Sequence, residues 1–255
     1  FTLENRVVYL VKEHNINPEN ILTITYTEKA AQELKTREIK QVGQEAHSMF
    51  VGTFHSFCFQ IMKHYKNESP STLIDQSEAI HMLLDRYDEF YPLDSDEFAI
   101  NPKTAVTESF IPFFNRVRDE LIDINNVDLE DLKNQYADNQ ELFYQLKDLI
   151  RIYPIFQKWK KDQNLIDYND MIRSAYDLLI NDNKTLLQVQ GKYKHVIIDE
   201  FQDNNFALNE VVRLVAGKKM SITVVGDDDQ VIYSFRGANS YNINNFENTY
   251  GSHPL

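Results

Sequence analysis

Val196-Ile197-Ile198-Asp199-Glu200 is an apolar run that ends in two carboxylates, and Phe201-Gln202-Asp203 follows it directly. A short β-branched run bounded by polar residues reads as a buried strand. Ile222-Thr223-Val224-Val225 repeats the pattern and ends in Gly226-Asp227-Asp228-Asp229-Gln230. In an open α/β sheet the ligand site lies outside the carboxyl ends of the strands. Two buried strands that each deliver acidic or amide groups there supply what hydrolysis of a nucleoside triphosphate requires. One carboxylate can hold Mg²⁺, and its neighbour can orient or deprotonate a water.

Strand and helix alternate on both sides of this stretch. Arg6 to Val11 lies in an amphipathic helical pattern that ends near His14-Asn15, and Asn17-Pro18 breaks the chain. Ile21 to Tyr26 is β-branched and short, hence a strand, and Thr27 is placed to cap a helix from Glu28 to about Lys40. Met49 to Thr53 reads as another strand and Phe54 to Lys66 as an amphipathic helix. Beyond Tyr168 come a helix to about Leu179, the strand ending at Asp199, a helix from about Phe206 to Ala216, and the strand ending at Gly226. Between them, roughly Ser69 to Leu165, the pattern is helical with little strand signal. The alternation on both sides of a helical block predicts one parallel α/β sheet interrupted by a mostly helical inserted subdomain. The expected boundaries are 1–68 and 166–255 for the two parts of the sheet domain and 69–165 for the insertion.

The chain has 255 residues, of which 42% are apolar and 25% charged, the balance of an ordinary globular protein. No apolar stretch approaches the ~20 residues of a membrane span, and the opening Phe1-Thr2-Leu3-Glu4-Asn5-Arg6 lacks the pattern of a signal peptide. The single Cys58 excludes an intrachain disulfide and fits a reducing cytoplasm; on its apolar helix it reads as a buried small residue. The net charge is −13. Residues 67–149 hold 6 Lys/Arg against 19 Asp/Glu, which accounts for the entire excess, and the flanks balance. The acidity therefore belongs to the insertion, where a solvated face is the plain reading, and leaves a local nucleic-acid groove elsewhere possible. His47, His64, His81, His195 and His253 show no ligand spacing. Trp159 among Lys158, Lys160 and Lys161 reads as a helix with snorkelling lysines.

The specific neighbours of the acidic pairs carry a resemblance. Asp199-Glu200-Phe201-Gln202-Asp203 and Gly226-Asp227-Asp228-Asp229-Gln230-Val231-Ile232-Tyr233-Ser234-Phe235-Arg236-Gly237-Ala238 together resemble motifs II and III of UvrD/Rep-type superfamily 1 DNA helicases. Thr25-Tyr26-Thr27-Glu28-Lys29-Ala30-Ala31-Gln32-Glu33-Leu34 is similar to motif Ia, and Gly52-Thr53-Phe54-His55-Ser56-Phe57 to the Thr-Phe-His-Ser motif after it. Ile166-Asp167-Tyr168-Asn169-Asp170-Met171-Ile172 resembles the Asp-Phe-x-Asp-Leu element that precedes motif II. The five occur in the family's order over nearly the whole chain. The resemblance implies a RecA-like fold of the P-loop NTPase type: the first motor domain (1A) with its helical insertion (1B).

It also implies roles. Asp199 would bind Mg²⁺, through water, and Glu200 would position the water that attacks ATP. Gln230 would sense the γ-phosphate, and Gln202 and Asp203 would relay nucleotide state between motifs II and III. Tyr26, Phe54, His55, Tyr233 and Phe235 would line a single-stranded DNA path, where a ring stacked on a base is worth ~1–3 kcal/mol. Core burial is the competing reading for these rings, strongest for Phe54 and Phe57. Lys29 and Arg236 would supply phosphate or guanidinium contacts nearby, and Thr27 and Thr53 would join the DNA-binding set. Single-stranded DNA and DNA junctions, ATP, Mg²⁺ and a second motor domain are the implied partners.

Within these residues the family's Gly-x-x-x-x-Gly-Lys-Thr phosphate loop is absent. Phe1-Thr2-Leu3-Glu4-Asn5-Arg6-Val7 resembles the segment that follows that loop, and Phe246 to Leu255 stops before motif IV would be expected. The expectation is therefore a catalytically inactive piece of an ATP-driven 3′→5′ helicase. The alternatives are a degenerate module that binds single strands or a protein, and the motor part of a RecB/AddA-like helicase–nuclease. Glu28 stands where many members carry Asn, Phe235 where Trp is frequent, and Asn204 where Thr is frequent.

Overall fold

The computed structural model describes residues 2–65, 71–217 and 221–227, together with Phe246 and Tyr250. In chain order the elements are α1 (Thr2–Lys12), β1 (Ile21–Thr25), α2 (Glu28–Val42), β2 (Phe50–Thr53) and α3 (Phe54–Tyr65). Then follow β3 (Thr72–Leu73), α4 (Gln76–Asp85), α5 (Asp96–Ile100) and α6 (Pro102–Thr104), which runs through a π-helical Ala105–Phe110 into α7 (Ile111–Asp119). The rest are α8 (Leu129–Gln135), α9 (Gln140–Asp162), β4 (Leu165–Ile166), α10 (Tyr168–Asn181), α11 (Asn183–Lys192), β5 (His195–Ile198), α12 (Phe206–Ala216) and β6 (Ser221–Val224).

The chain divides into two compact units, one of residues 1–68 with 171–255 and one of residues 69–170. The first is an α/β unit around a parallel four-stranded sheet in the order β2-β1-β5-β6. All five residues of β1 are buried, the mark of a central strand covered on both faces. Leu3, Val7 and Leu10 of α1 pack with Ile21, Met49 and Ile197, while α12 buries Ala207, Leu208, Val211, Val212 and Val215. Local chemistry fixes the ends of these elements. Thr27 accepts the Ala30 amide at 3.1 Å and starts α2, and Gly43, at φ +99°, ends it where a side chain would be strained.

Strand register decides what the carboxyl edge presents. Thr25 pairs with Thr53, Ile24 with Ile198, and Ile198 with Val224. The four chain segments that leave the sheet after these residues are thus neighbours at one edge.

The second unit is helical around an aromatic core. Phe114 stacks on Phe156 with ring centres 5.4 Å apart, and Phe90 on Trp159 at 5.2 Å. Arg86 lies 3.8 Å over the Trp159 ring, a cation–π contact. Asp94, Asp96 and Glu97 of the acidic region are exposed. The reading of Trp159 needs a correction, because Lys160 does not snorkel. It is 1% exposed and is held, with Arg118, against Asp167 and Asp170. The sequence showed three lysines around a Trp; it did not show that one of them faces two carboxylates across the fold. Burial alone would raise the Asp167 carboxyl, but Arg118 and Lys160 outweigh it and hold that group well below the usual carboxylate range. The two-residue pairing of β3 with β4 also lies in this unit, at Thr72–Leu165 and Leu73–Ile166. The seam accordingly falls at Asp170, five residues beyond the expected 165.

Candidate functional site

The end of β5 is pinned from both sides. The Asp199 amide donates to the Ile24 carbonyl at 2.9 Å, the Val225 amide to Ile198 at 2.8 Å, and the Phe201 amide to Val225 at 3.0 Å. Between these anchors Glu200 adopts the left-handed conformation, φ 51° and ψ 44°. A non-glycine residue there costs ~1–2 kcal/mol, a strain sustained where surrounding bonds over-determine the backbone. The turn Phe201–Asp203 then closes with Asp203 N–H on the Glu200 carbonyl at 2.9 Å. Phe201 is buried and meets Phe246 edge-on at 5.6 Å.

Gln202 is buried and spends its amide in two directions. Its Nε2 donates to Glu200 Oε2 at 2.7 Å, and its Oε1 accepts the backbone N–H of Asp227 at 3.1 Å. One side chain therefore spans the segment after β5 and the segment after β6.

Two carboxyls at this edge feel the Glu200 charge. Burial, then the neighbouring Glu200 charge, push the Asp199 carboxyl above its ordinary value, and the same two causes raise Asp203. Asp203 Oδ1 is buried without a hydrogen-bond partner. Hard, anionic oxygen donors of this kind fit Mg²⁺, which is commonly held by one or two carboxylates and completes its shell with water. Among the described residues no group of three or more His, Cys, Asp or Glu side chains forms a ready cage.

The adjacent strands bring motif-bearing residues to the same edge. Thr27 and Lys29 are exposed after β1, with Tyr26 half-buried. After β2, His55 is half-buried, whereas Thr53 is 5% exposed and Phe54 only 4%. That burial favours core packing, the reading that competed with stacking for Phe54. Phe54, Phe57, Cys58 and Ile61 are the buried face of α3, and their i, i+3, i+4, i+7 spacing is the sequence signal that marked Phe54 as core. Cys58 is fully buried as expected, and burial pushes its thiol up to about 12. Gln230, Tyr233, Phe235 and Arg236 lie outside the described residues. Two participants were not assigned from sequence: Glu28, whose Oε1 accepts the Thr53 hydroxyl at 2.9 Å, and Ser56, which hydrogen-bonds Thr53 in turn.

The family description "UvrD/REP helicase N-terminal domain" matches residues 1–251. The chain belongs to this family. An ATP-dependent DNA helicase PcrA of Staphylococcus epidermidis is 32% identical over 252 residues, covering 97% of this chain and 32% of that protein. PcrA helicases of Staphylococcus aureus are similar at 31% identity over 252 residues. The chain thus spans about a third of the length of the curated relatives it matches, at 32%. Membership in the UvrD/REP family makes the parallel sheet flanked by helices a RecA-like motor fold, as the motif order implied. No helix among the described residues is long and apolar enough to cross a membrane.

Proposed function

We propose that this chain is the first motor domain, with its 1B insertion, of an ATP-driven helicase that moves 3′→5′ along single-stranded DNA and opens duplexes and junctions. The observation that carries the reading is the Gln202 bridge, which ties the carboxylate proposed to handle the attacking water to the segment that leads into motif III. A nucleotide-dependent shift of Glu200 would be passed to the Asp227 backbone through the buried Gln202 side chain.

In this reading Asp199 would hold Mg²⁺, and the ion, when bound, would neutralise charge on the phosphates. Glu200 accepts a hydrogen bond from the attacking water and orients it. Gln230 donates to the γ-phosphate; its amide does so without titrating. Tyr26, His55, Tyr233 and Phe235 stack on bases or flank them, with Lys29, Thr27, Thr53 and Arg236 at the phosphates. Stacking on π-faces tolerates any sequence, as translocation demands. A second motor domain, and a Gly-Lys-Thr loop that residues 1–255 do not contain, complete the ATP site. The chain alone is proposed to lack appreciable ATPase activity, since arginine fingers alone are worth about 10³–10⁵ in comparable NTPases.

The test is a steady-state ATPase and strand-displacement assay of a longer protein that contains this chain, with duplexes tailed at either end. DNA-stimulated turnover lost in Glu200→Gln, with displacement from 3′-tailed substrates, is expected. Turnover that survives Glu200→Gln overturns the assignment.

A further inference from the structure

Thr53 closes the turn between β2 and α3, and its hydroxyl both accepts and donates there. The Ser56 amide donates to Thr53 Oγ1 at 3.2 Å, and the Ser56 hydroxyl donates to the Thr53 carbonyl at 2.8 Å. Gly52 permits this geometry, because a Cβ there would meet Ser56 Oγ at 2.5 Å. The one proton that Thr53 Oγ1 owns has two acceptors within reach: Glu28 Oε1 at 2.9 Å and Ser56 Oγ at 3.3 Å. The carboxylate oxygen is nearer and is the stronger acceptor, so the proton points at Glu28.

Glu28 is itself positioned by the neighbouring strand. It is the first helical residue of α2, beside the exposed Thr27 that caps the helix, and the Thr25 hydroxyl donates to the Thr27 carbonyl at 3.0 Å to fix that turn. Register places Thr25 beside Thr53, so the two turns face each other across one strand pair. A phosphate can only accept a hydrogen bond from a hydroxyl. Thr53 therefore cannot serve a phosphate while Glu28 keeps its proton, and the Glu28 charge repels the same phosphate.

We propose that Glu28 is a positioning residue that sets how tightly the β2–α3 turn grips a single strand, by competing with the strand's phosphate for the Thr53 proton. The inference rests on the single-strand path proposed above. In this arrangement the carboxylate weakens the grip, and each release of phosphate is matched by the Thr53–Glu28 bond forming again. A motor that must let go of the strand at each step gains a ready competitor at this point.

The experiment is fluorescence anisotropy of a labelled oligothymidylate with the full chain as wild type, Glu28→Gln, Glu28→Ala, Thr53→Val and Glu28→Gln/Thr53→Val, with thermal midpoints checking that each is folded. Glu28→Gln is expected to tighten binding about tenfold, the scale of a charged hydrogen bond exchanged, and Glu28→Ala to tighten it as well. In the Thr53→Val background the gain falls to about threefold or less, since only charge repulsion is then relieved. A merely structural role for Glu28 predicts weaker binding in both variants. Equal gains in both backgrounds, or weaker binding on loss of Glu28, overturn the inference while leaving the single-strand path standing. Absence of oligothymidylate binding by every protein at low salt overturns both.

Discussion

Gln202 donates to Glu200 at 2.7 Å with one end of its amide while the other end accepts the Asp227 backbone amide at 3.1 Å. The pair joins the segments that follow β5 and β6, each within four residues of its strand, through Gln202 and Asp227, 25 residues apart in sequence. Side-chain amides suit this junction because they donate and accept at once and carry no charge to bury. Glu200 itself is left-handed at φ 51°, a conformation sustained by the backbone bonds of Asp199 and Phe201 on either side.

Gln202→Leu removes both bonds from a buried position; a loss of about 1–3 kcal/mol in urea denaturation is expected. Gln202→Glu keeps the shape but sets a second carboxylate against Glu200. A buried carboxyl facing a like charge favours its protonated form, so this variant loses more stability at pH 8 than at pH 5. A penalty independent of pH would show that the two groups do not meet in solution.

Glu38 supplies a second pH signature. It is fully buried on α2, both carboxyl oxygens lack partners, and burial together with the Glu4 charge pushes it up to about 8. Glu4 on α1 is committed to Arg37 at 2.8 Å, and Lys35 offsets only part of the effect. A carboxyl that binds its proton more tightly folded than unfolded contributes fully below its unfolded value near 4.5 and loses that contribution as pH climbs through about 8. Glu38→Gln, neutral at every pH, should therefore gain on the wild type between pH 5 and pH 8, by at most about 1.4 kcal/mol per pH unit. Parallel stability curves for the two proteins would contradict the buried placement.

What the sequence disclosed, and what it hid, follows from the range of the forces involved. The strands of the sheet were legible because a strand covered on both faces must be apolar and β-branched throughout, as in Ile21-Leu22-Thr23-Ile24-Thr25. The sheet's ends followed from polar residues placed right after those runs. α11 was not read, since Leu186, Leu187 and Val189 give too brief a stripe among Asn, Lys and Gln. β3 and β4, two residues each, leave no period at all. The buried Lys160 was invisible because its partners lie 7 and 10 residues on and matter only once α9 and the start of α10 meet. Asp167 and Asp170 belong to a motif in sequence, yet nothing in their own neighbourhood points to a buried ion network.

That network yields a third expectation. Arg118 bonds Asp167, Asp170 and Asn115 while Lys160 bonds both acids, so removing one cation leaves buried negative charge poorly balanced. Arg118→Met should cost about 3–5 kcal/mol. Asp167 is held below its ordinary value, so its contribution is present above about 3.8 and declines as pH falls below it. The gap between wild type and Arg118→Met should narrow under acid conditions. A variant as stable as wild type at pH 7 would mean the network offers no net support.

Phe54 and Tyr26 separate core packing from strand contact within one sheet edge. Phe54 is 4% exposed and lies on the apolar stripe of α3, so Phe54→Ala should lower stability by about 3–5 kcal/mol through the cavity it leaves. Tyr26 is half-buried just past the end of β1, so Tyr26→Ala should cost less stability but weaken oligothymidylate binding by about 1–3 kcal/mol. Measured on the folded fraction, Phe54→Ala should bind the oligonucleotide as wild type does. The reverse result, a stable Phe54→Ala that binds poorly, would mean that α3 turns its first residue outward when a strand is present and that the original expectation for this ring was right.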